Sequence, residues 1–157
     1  MADNFGLKIG IEGEKEFKKA LSEINQSFKV LGSEMKLVSS QFDKNDKSVQ
    51  ALSARNTVLN KEIEAQKNKV ETLRAALQNA ADSFGENDRR TQNWQIQLNN
   101  AEAALNSMGR ELSDNERAIE ALSQEETDAA DATERLSREI AQQEDALAGM
   151  KRAYSNA

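Results

Sequence analysis

Residues 49–77 read Val49-Gln-Ala-Leu52-Ser-Ala-Arg-Asn56-Thr-Val-Leu59-Asn-Lys-Glu-Ile63-Glu-Ala-Gln-Lys-Asn-Lys-Val70-Glu-Thr-Leu73-Arg-Ala-Ala-Leu77. Large apolar residues recur here at alternating steps of three and four. An average spacing of 3.5 residues puts them on one face of a helix that winds left-handedly around a partner. Val49, Ile63 and Val70 take a positions, Leu52, Leu59 and Leu73 take d positions, and a single Asn56 interrupts the a series. β-branched residues at a, leucine at d and one buried asparagine favour two parallel strands in a fixed register. The expected oligomer seam is therefore Val49, Leu52, Asn56, Leu59, Ile63, Val70, Leu73 and Leu77.

The same register extends in both directions without a skip. Upstream it visits Phe17, Leu21, Ile24, Phe28, Leu31, Met35, Val38 and Phe42; downstream it visits Phe84, Trp94, Leu98, Leu105, Met108, Leu112, Ile119 and Leu122. It closes on Leu136, Ile140, Leu147, Met150 and Tyr154. Of 40 positions visited, 31 are apolar, against 38% for the whole chain, so composition alone does not produce the stripe. Trp94 and Tyr154 fall on it and are expected to pack in a core. An exposed stripe of this length forgoes about 1.5–3 kcal/mol per large side chain, so the chain must self-associate, fold back or bind another helix.

Composition agrees with helix. Proline is absent, so nothing forces a break, and aromatic residues make up only 4% of the 157 positions. The chain is rich in Ala, Leu, Glu, Lys, Gln and Arg, all good helix formers. Cysteine and histidine are both absent, which removes disulfides, thiolate metal sites and the commonest general base. The apolar runs are too short for a membrane span. Net charge is −6, and residues 101–157 alone carry thirteen acids against six bases, so no basic face for nucleic acid is expected there. Neither Asp43-x-Asn45 nor the Gly-dotted start at Gly6, Gly10 and Gly13 completes a calcium or phosphate loop. No catalytic residue, cofactor, metal or small-molecule substrate is expected, and the chain is not read as an enzyme.

The first residues behave differently. Phe5, Leu7, Ile9 and Ile11 alternate with Gly6, Lys8, Gly10 and Glu12, a period of two that reads as a strand. Residues 1–13 are therefore expected as an extended, β-like segment that pairs with a partner strand, and 14–157 as a coiled-coil region. Within that region Phe42-Asp-Lys-Asn-Asp-Lys-Ser-Val-Gln-Ala-Leu52 aligns with Phe84-Gly-Glu-Asn-Asp-Arg-Arg-Thr-Gln-Asn-Trp94, 42 residues on. A third weak patch follows at Glu126-Thr-Asp-Ala-Ala-Asp131.

Two all-α architectures follow. Either long heptad-repeat helices form an extended rod, or antiparallel hairpins turn near 43–48, 85–90 and 127–131. Gly85 suits a helix C-terminus, Asp46 and Asp88 suit N-caps, and Asp131 with Glu134 suggests a capping box. The unbroken register favours the rod.

The run Phe5-Gly-Leu-Lys-Ile-Gly-Ile-Glu-Gly-Glu-Lys-Glu-Phe17, continuing to Val30-Leu-Gly-Ser-Glu-Met-Lys36, resembles the start of tape measure proteins of long-tailed phages and prophages of Gram-positive bacteria. The stretch from Phe84 to Asn106 is similar to the coiled-coil repeat of that family. The resemblance implies a structural tail assembly protein that sets tail length as a ruler and scaffold inside the tail tube. It implies several copies, association with tail tube, distal-tail and tail-assembly chaperone proteins, and a place in the virion tail after assembly in the host cytoplasm. Family members are far longer and usually hold hydrophobic segments, which marks this chain as an N-terminal part or a truncated reading frame. The other readings are a helical adaptor whose N-terminal strand augments a partner sheet, and a generic bacterial coiled-coil scaffold.

Overall fold

Three helices account for nearly all of the chain: α1 (Ala2–Ser40), α2 (Val49–Phe84) and α3 (Arg89–Ser155). The computed structural model describes the backbone of residues 2–156 and the side chains of residues 12–156. Residues 1–117 form one compact unit and residues 118–157 a second. No strand occurs among the described residues.

The extended N-terminal segment is corrected by α1, which starts at Ala2. Alternating apolar residues fit a strand only where a second strand supplies backbone partners. Within one chain a helix satisfies those groups internally, each N–H bonding the carbonyl four residues back. The side chains of Phe5, Leu7, Ile9 and Ile11 lie outside the described residues.

The rod is corrected as well, because the helix breaks at both copies of the repeated sequence. After α1, Gln41 N–H donates to the Val38 carbonyl (3.1 Å) and Phe42 N–H to that of Ser39 (3.4 Å), tightening the last turn. Helix α2 then restarts on Ser48, whose backbone is extended (φ −63°, ψ 160°) and whose Oγ accepts from Ala51 N–H at 3.2 Å. Gly85 ends α2 at φ +90°, a conformation that glycine adopts without steric cost. The register did not betray these breaks because each turn takes the place of one heptad. Phe42 to Val49 and Phe84 to Thr91 are both seven residues, so the phase survives the reversal.

The third expected turn does not form, since α3 continues through 127–131. That stretch lacks glycine and proline, contains Ala129 and Ala130, and is followed by Ala132. Thr127 and Thr133 hydroxyls bond back to the carbonyls of Ser123 and Ala129, four residues earlier, at 3.0 and 2.9 Å. Gln124 donates to Asp128 at 3.1 Å, again at a spacing of four. Asp131 and Glu134 are therefore interior helix residues and do not act as a capping box.

In the first unit, α1, α2 and the start of α3 pack antiparallel to their chain neighbours. Leu21 from α1, Val70, Leu73, Ala76 and Ala80 from α2, and Trp94, Leu98 and Ala101 from α3 form one cluster. Alanines on α2 let the helices approach. Helix α2 lies between two partners, and this widens its buried face: Ala51 and Val58 are buried beside Leu52 and Leu59. Every buried side-chain polar atom among the described residues has a hydrogen-bond partner.

Candidate functional site

The residues expected to form an oligomer seam stand on the face of α2 that the chain itself covers. Leu52, Asn56, Leu59, Ile63, Val70 and Leu73 are buried, while Val49 and Leu77 are half-buried. Leu77 packs against the three-helix cluster. Asn56 has a different partner from the one expected of it. Its Oδ1 accepts from Nδ2 of Asn115 on α3 at 2.8 Å, so the bond closes within one chain and between antiparallel helices. Nearly three turns further along α2, Gln66 Nε2 donates to the Ala101 carbonyl at 2.9 Å. Gln66 is 4% exposed. These two polar contacts fix where α2 meets α3, because sliding either helix would strand a buried amide.

Trp94 is in the core as expected, 3% exposed, with its indole N–H donating to Glu14 Oε1 at 3.3 Å. Tyr154 is not: it is 87% exposed, because no part of the second unit covers it. Across α1 and α2, Lys61 pairs with Glu34 at 3.3 Å, and Lys69 bonds Asn25 Oδ1 at 3.3 Å and lies over the Phe28 ring. Arg74 reaches Glu102 on α3 at 2.8 Å. These exposed contacts are weak individually. Their spacing nevertheless reports the antiparallel register of each pair.

The repeated sequence becomes a repeated turn. Asp46 Oδ1 accepts from Ser48 N–H at 2.8 Å, and Asp88, 42 residues later, accepts from Arg90 N–H at 2.9 Å. Each carboxylate holds the N–H two residues on, the geometry of an Asx-turn. Asp88 thereby caps α3 as expected. Asp46 does not cap α2, a place that Ser48 takes; it braces the turn before it. The two turns are reinforced differently. In the first, the Arg55 guanidinium donates to the carbonyls of Asp46 (2.8 Å) and Asp43 (3.4 Å). In the second, the Arg90 guanidinium bonds both Asp88 oxygens at 3.0 Å and stacks 3.5 Å from the Phe84 ring centroid, while Thr91 Oγ1 donates to the Gly85 carbonyl at 2.7 Å.

Electrostatics follow these bonds. The Arg90 side chain and backbone N–H hold the Asp88 carboxyl down at about 2, and Asp88 in turn raises Arg90. Asp46 is lowered by its bonds from the Ser48 backbone and side chain. Glu62 moves the other way: partial burial raises it, and the charge of Glu111 on α3 adds to the effect.

Two shallow grooves flank the helices of the first unit. One, between α1 and α3, is lined by Lys18, Leu21, Ser22, Asn25, Trp94 and Gln97. The other, between α2 and α3, is lined by Ile63, Lys67, Leu105, Arg110, Leu112 and Arg117 among others. Both are open and mix polar with apolar groups. Among the described residues no group of three or more acidic side chains is arranged to hold a metal ion, and no helix is long and apolar enough to cross a membrane. Comparison with protein-family models, with curated proteins and with solved structures finds no match for this chain.

Proposed function

We propose that this chain is a structural assembly protein, the N-terminal part of a phage tail tape measure protein that acts as ruler and scaffold inside the tail tube. The run from Phe5 to Lys36 carries the reading, through its resemblance to the start of that family. The 42-residue repeat supports it, because in both copies the matching aspartate accepts from the backbone N–H two residues on, in the break between two helices. A ruler works by being long. The heptad phase passes unbroken through both turns, so the hairpins can open into one continuous helix without moving any apolar residue off the stripe. Neighbouring copies lying side by side would then cover that stripe as a coiled coil, where the chain's own helices cover it in the folded form.

On this reading the partners are further copies of the chain, the tail tube, distal-tail proteins and an assembly chaperone; the location is the virion tail, and the chain has no catalytic residue. An adaptor that adds its N-terminal segment to a partner sheet would need that segment extended, whereas here it opens α1. The test is length. Inserting a further copy of residues 43–84 into the encoding phage gene should lengthen tails by about 63 Å, the rise of 42 helical residues. Tails of unchanged length, seen by electron microscopy on otherwise intact virions, would contradict the ruler.

A further inference from the structure

From Ser123 onward the second unit keeps a heptad stripe that none of the described residues covers. Every described residue from Ser123 to Asn156 is exposed, and Leu136, Ile140, Leu147, Met150 and Tyr154 are 48–87% exposed along one face of α3. A helix of this length draws most of its stability from packing, so an apolar seam left in water is an incomplete structure.

We propose that residues 119–154 are a self-docking surface that takes the same segment of a second copy in antiparallel orientation. Two features of the sequence select that occupant and that direction. The first is charge. Residues 118–134 carry six acids (Glu120, Glu125, Glu126, Asp128, Asp131 and Glu134) and no base, whereas residues 135–157 carry four bases (Arg135, Arg138, Lys151 and Arg152) and three acids. A parallel pair sets the acidic stretches 118–134 side by side; an antiparallel pair sets each against residues 142–157 of the other copy, where Lys151 and Arg152 balance Glu144 and Asp145.

The second feature is the order of seam residues. In a parallel pair, three consecutive layers would be Glu126 on Glu126, Ala129 on Ala129 and Thr133 on Thr133. No large apolar group fills any of them, and one buries two like charges. In the antiparallel pair each a position meets a d position. Leu122 faces Tyr154, Glu126 faces Met150, Ala129 faces Leu147 and Leu136 faces Ile140, leaving only Thr133 against Gln143 without a large apolar member. The poorly apolar half is thus completed by the apolar half of the other copy. This association does not depend on the tape measure assignment.

The chain has no cysteine, so introduced thiols report cleanly. Full-length Ser123→Cys and Lys151→Cys chains, mixed and oxidised, should yield the mixed disulfide dimer, since both positions flank the same end of the antiparallel seam. In a parallel pair the two thiols lie about 42 Å apart along the helix, and no mixed product forms. Sedimentation of the unmodified chain should show a concentration-dependent dimer. Ile140→Glu should weaken it at least tenfold, while Glu126→Leu, which replaces the one charged seam residue, should tighten it at least tenfold. Fluorescence of Trp94, which lies in the first unit, should be unchanged in both variants, separating lost docking from lost folding. A chain that stays monomeric at 100 μM, or one that dimerises without the mixed disulfide, would overturn the proposal.

Discussion

Asn56 is a buried polar residue on α2 whose side chain is held by Asn115 of α3. Its place at a buried seam position is legible from spacing alone, and it is 7% exposed. What covers it is not legible, because heptad spacing records distance along a helix and carries no information about which helix lies opposite. The partner is Asn115, also a seam residue, so two polar interruptions of the stripe meet each other. Asn56→Ala should therefore destabilise the chain by about 1–2 kcal/mol, because it strands the Asn115 amide. The double change Asn56→Leu with Asn115→Leu should recover most of that loss, as read by urea denaturation followed through Trp94 fluorescence. Strictly additive losses would show that the two amides do not depend on each other.

Acid titration separates the charged residues by sign. Asp88 has a folded-state pKa below its unfolded value, so its contribution is present above about pH 4 and is lost as pH falls toward about 2. Asp88→Asn should flatten the stability curve across that window. Glu62 is raised in the folded state, so its carboxyl favours folding when protonated, and the benefit declines as pH rises from about 4.5 through the folded pKa. Glu62→Gln should therefore stabilise the chain at pH 7 more than at pH 4. Thermal melts at pH 7 and pH 4 check Glu62→Gln, and melts at about pH 4 and about pH 2.5 check Asp88→Asn.

At the scale of the element, glycine substitutions distinguish turn from helix. Gly85 sits at φ +90° with nothing within 4 Å of where a Cβ would lie, so Gly85→Ala should cost about 1 kcal/mol through backbone strain alone. Gly32 is inside α1 with equally open surroundings, and Gly32→Ala should stabilise by about 0.5–1 kcal/mol. Opposite signs from the same chemical change, measured by thermal unfolding, identify 85 as a chain reversal.

The turns at 41–48 and 85–88 were marked in the sequence by Asx residues and Gly85, and the structure uses those groups. The patch at 127–131 resembled them only in being polar; its alanines and back-bonded threonines support a helix just as well. The strand expected at 5–11 failed for a related reason: four alternating apolar residues fit either state, and a strand needs a partner that one chain does not supply. Burial of Ala51 and Val58 was invisible to a single-stripe reading, because it arises only when α2 has neighbours on two sides.

For the whole molecule, the first unit encloses a narrow core. Among the described residues, Leu73 is its largest fully buried side chain. Leu73→Ala should cost about 2–5 kcal/mol, a large share of the stability of a small domain, and should expose Trp94 in the same transition. On the ruler reading proposed above, this fold would open into a continuous helix during assembly. Its resting form is the set of hairpins, and that claim is measurable as a distance. With spin labels introduced at Asn25 and Lys69, diluted in unlabelled chain so that only intramolecular pairs are seen, double electron–electron resonance reports the separation directly. These side chains are in contact at 3.3 Å in the hairpin, so label-to-label distances should centre within about 25 Å. In one uninterrupted helix, 44 residues separate the labels by about 66 Å, and a distribution centred there would contradict the folded-back structure.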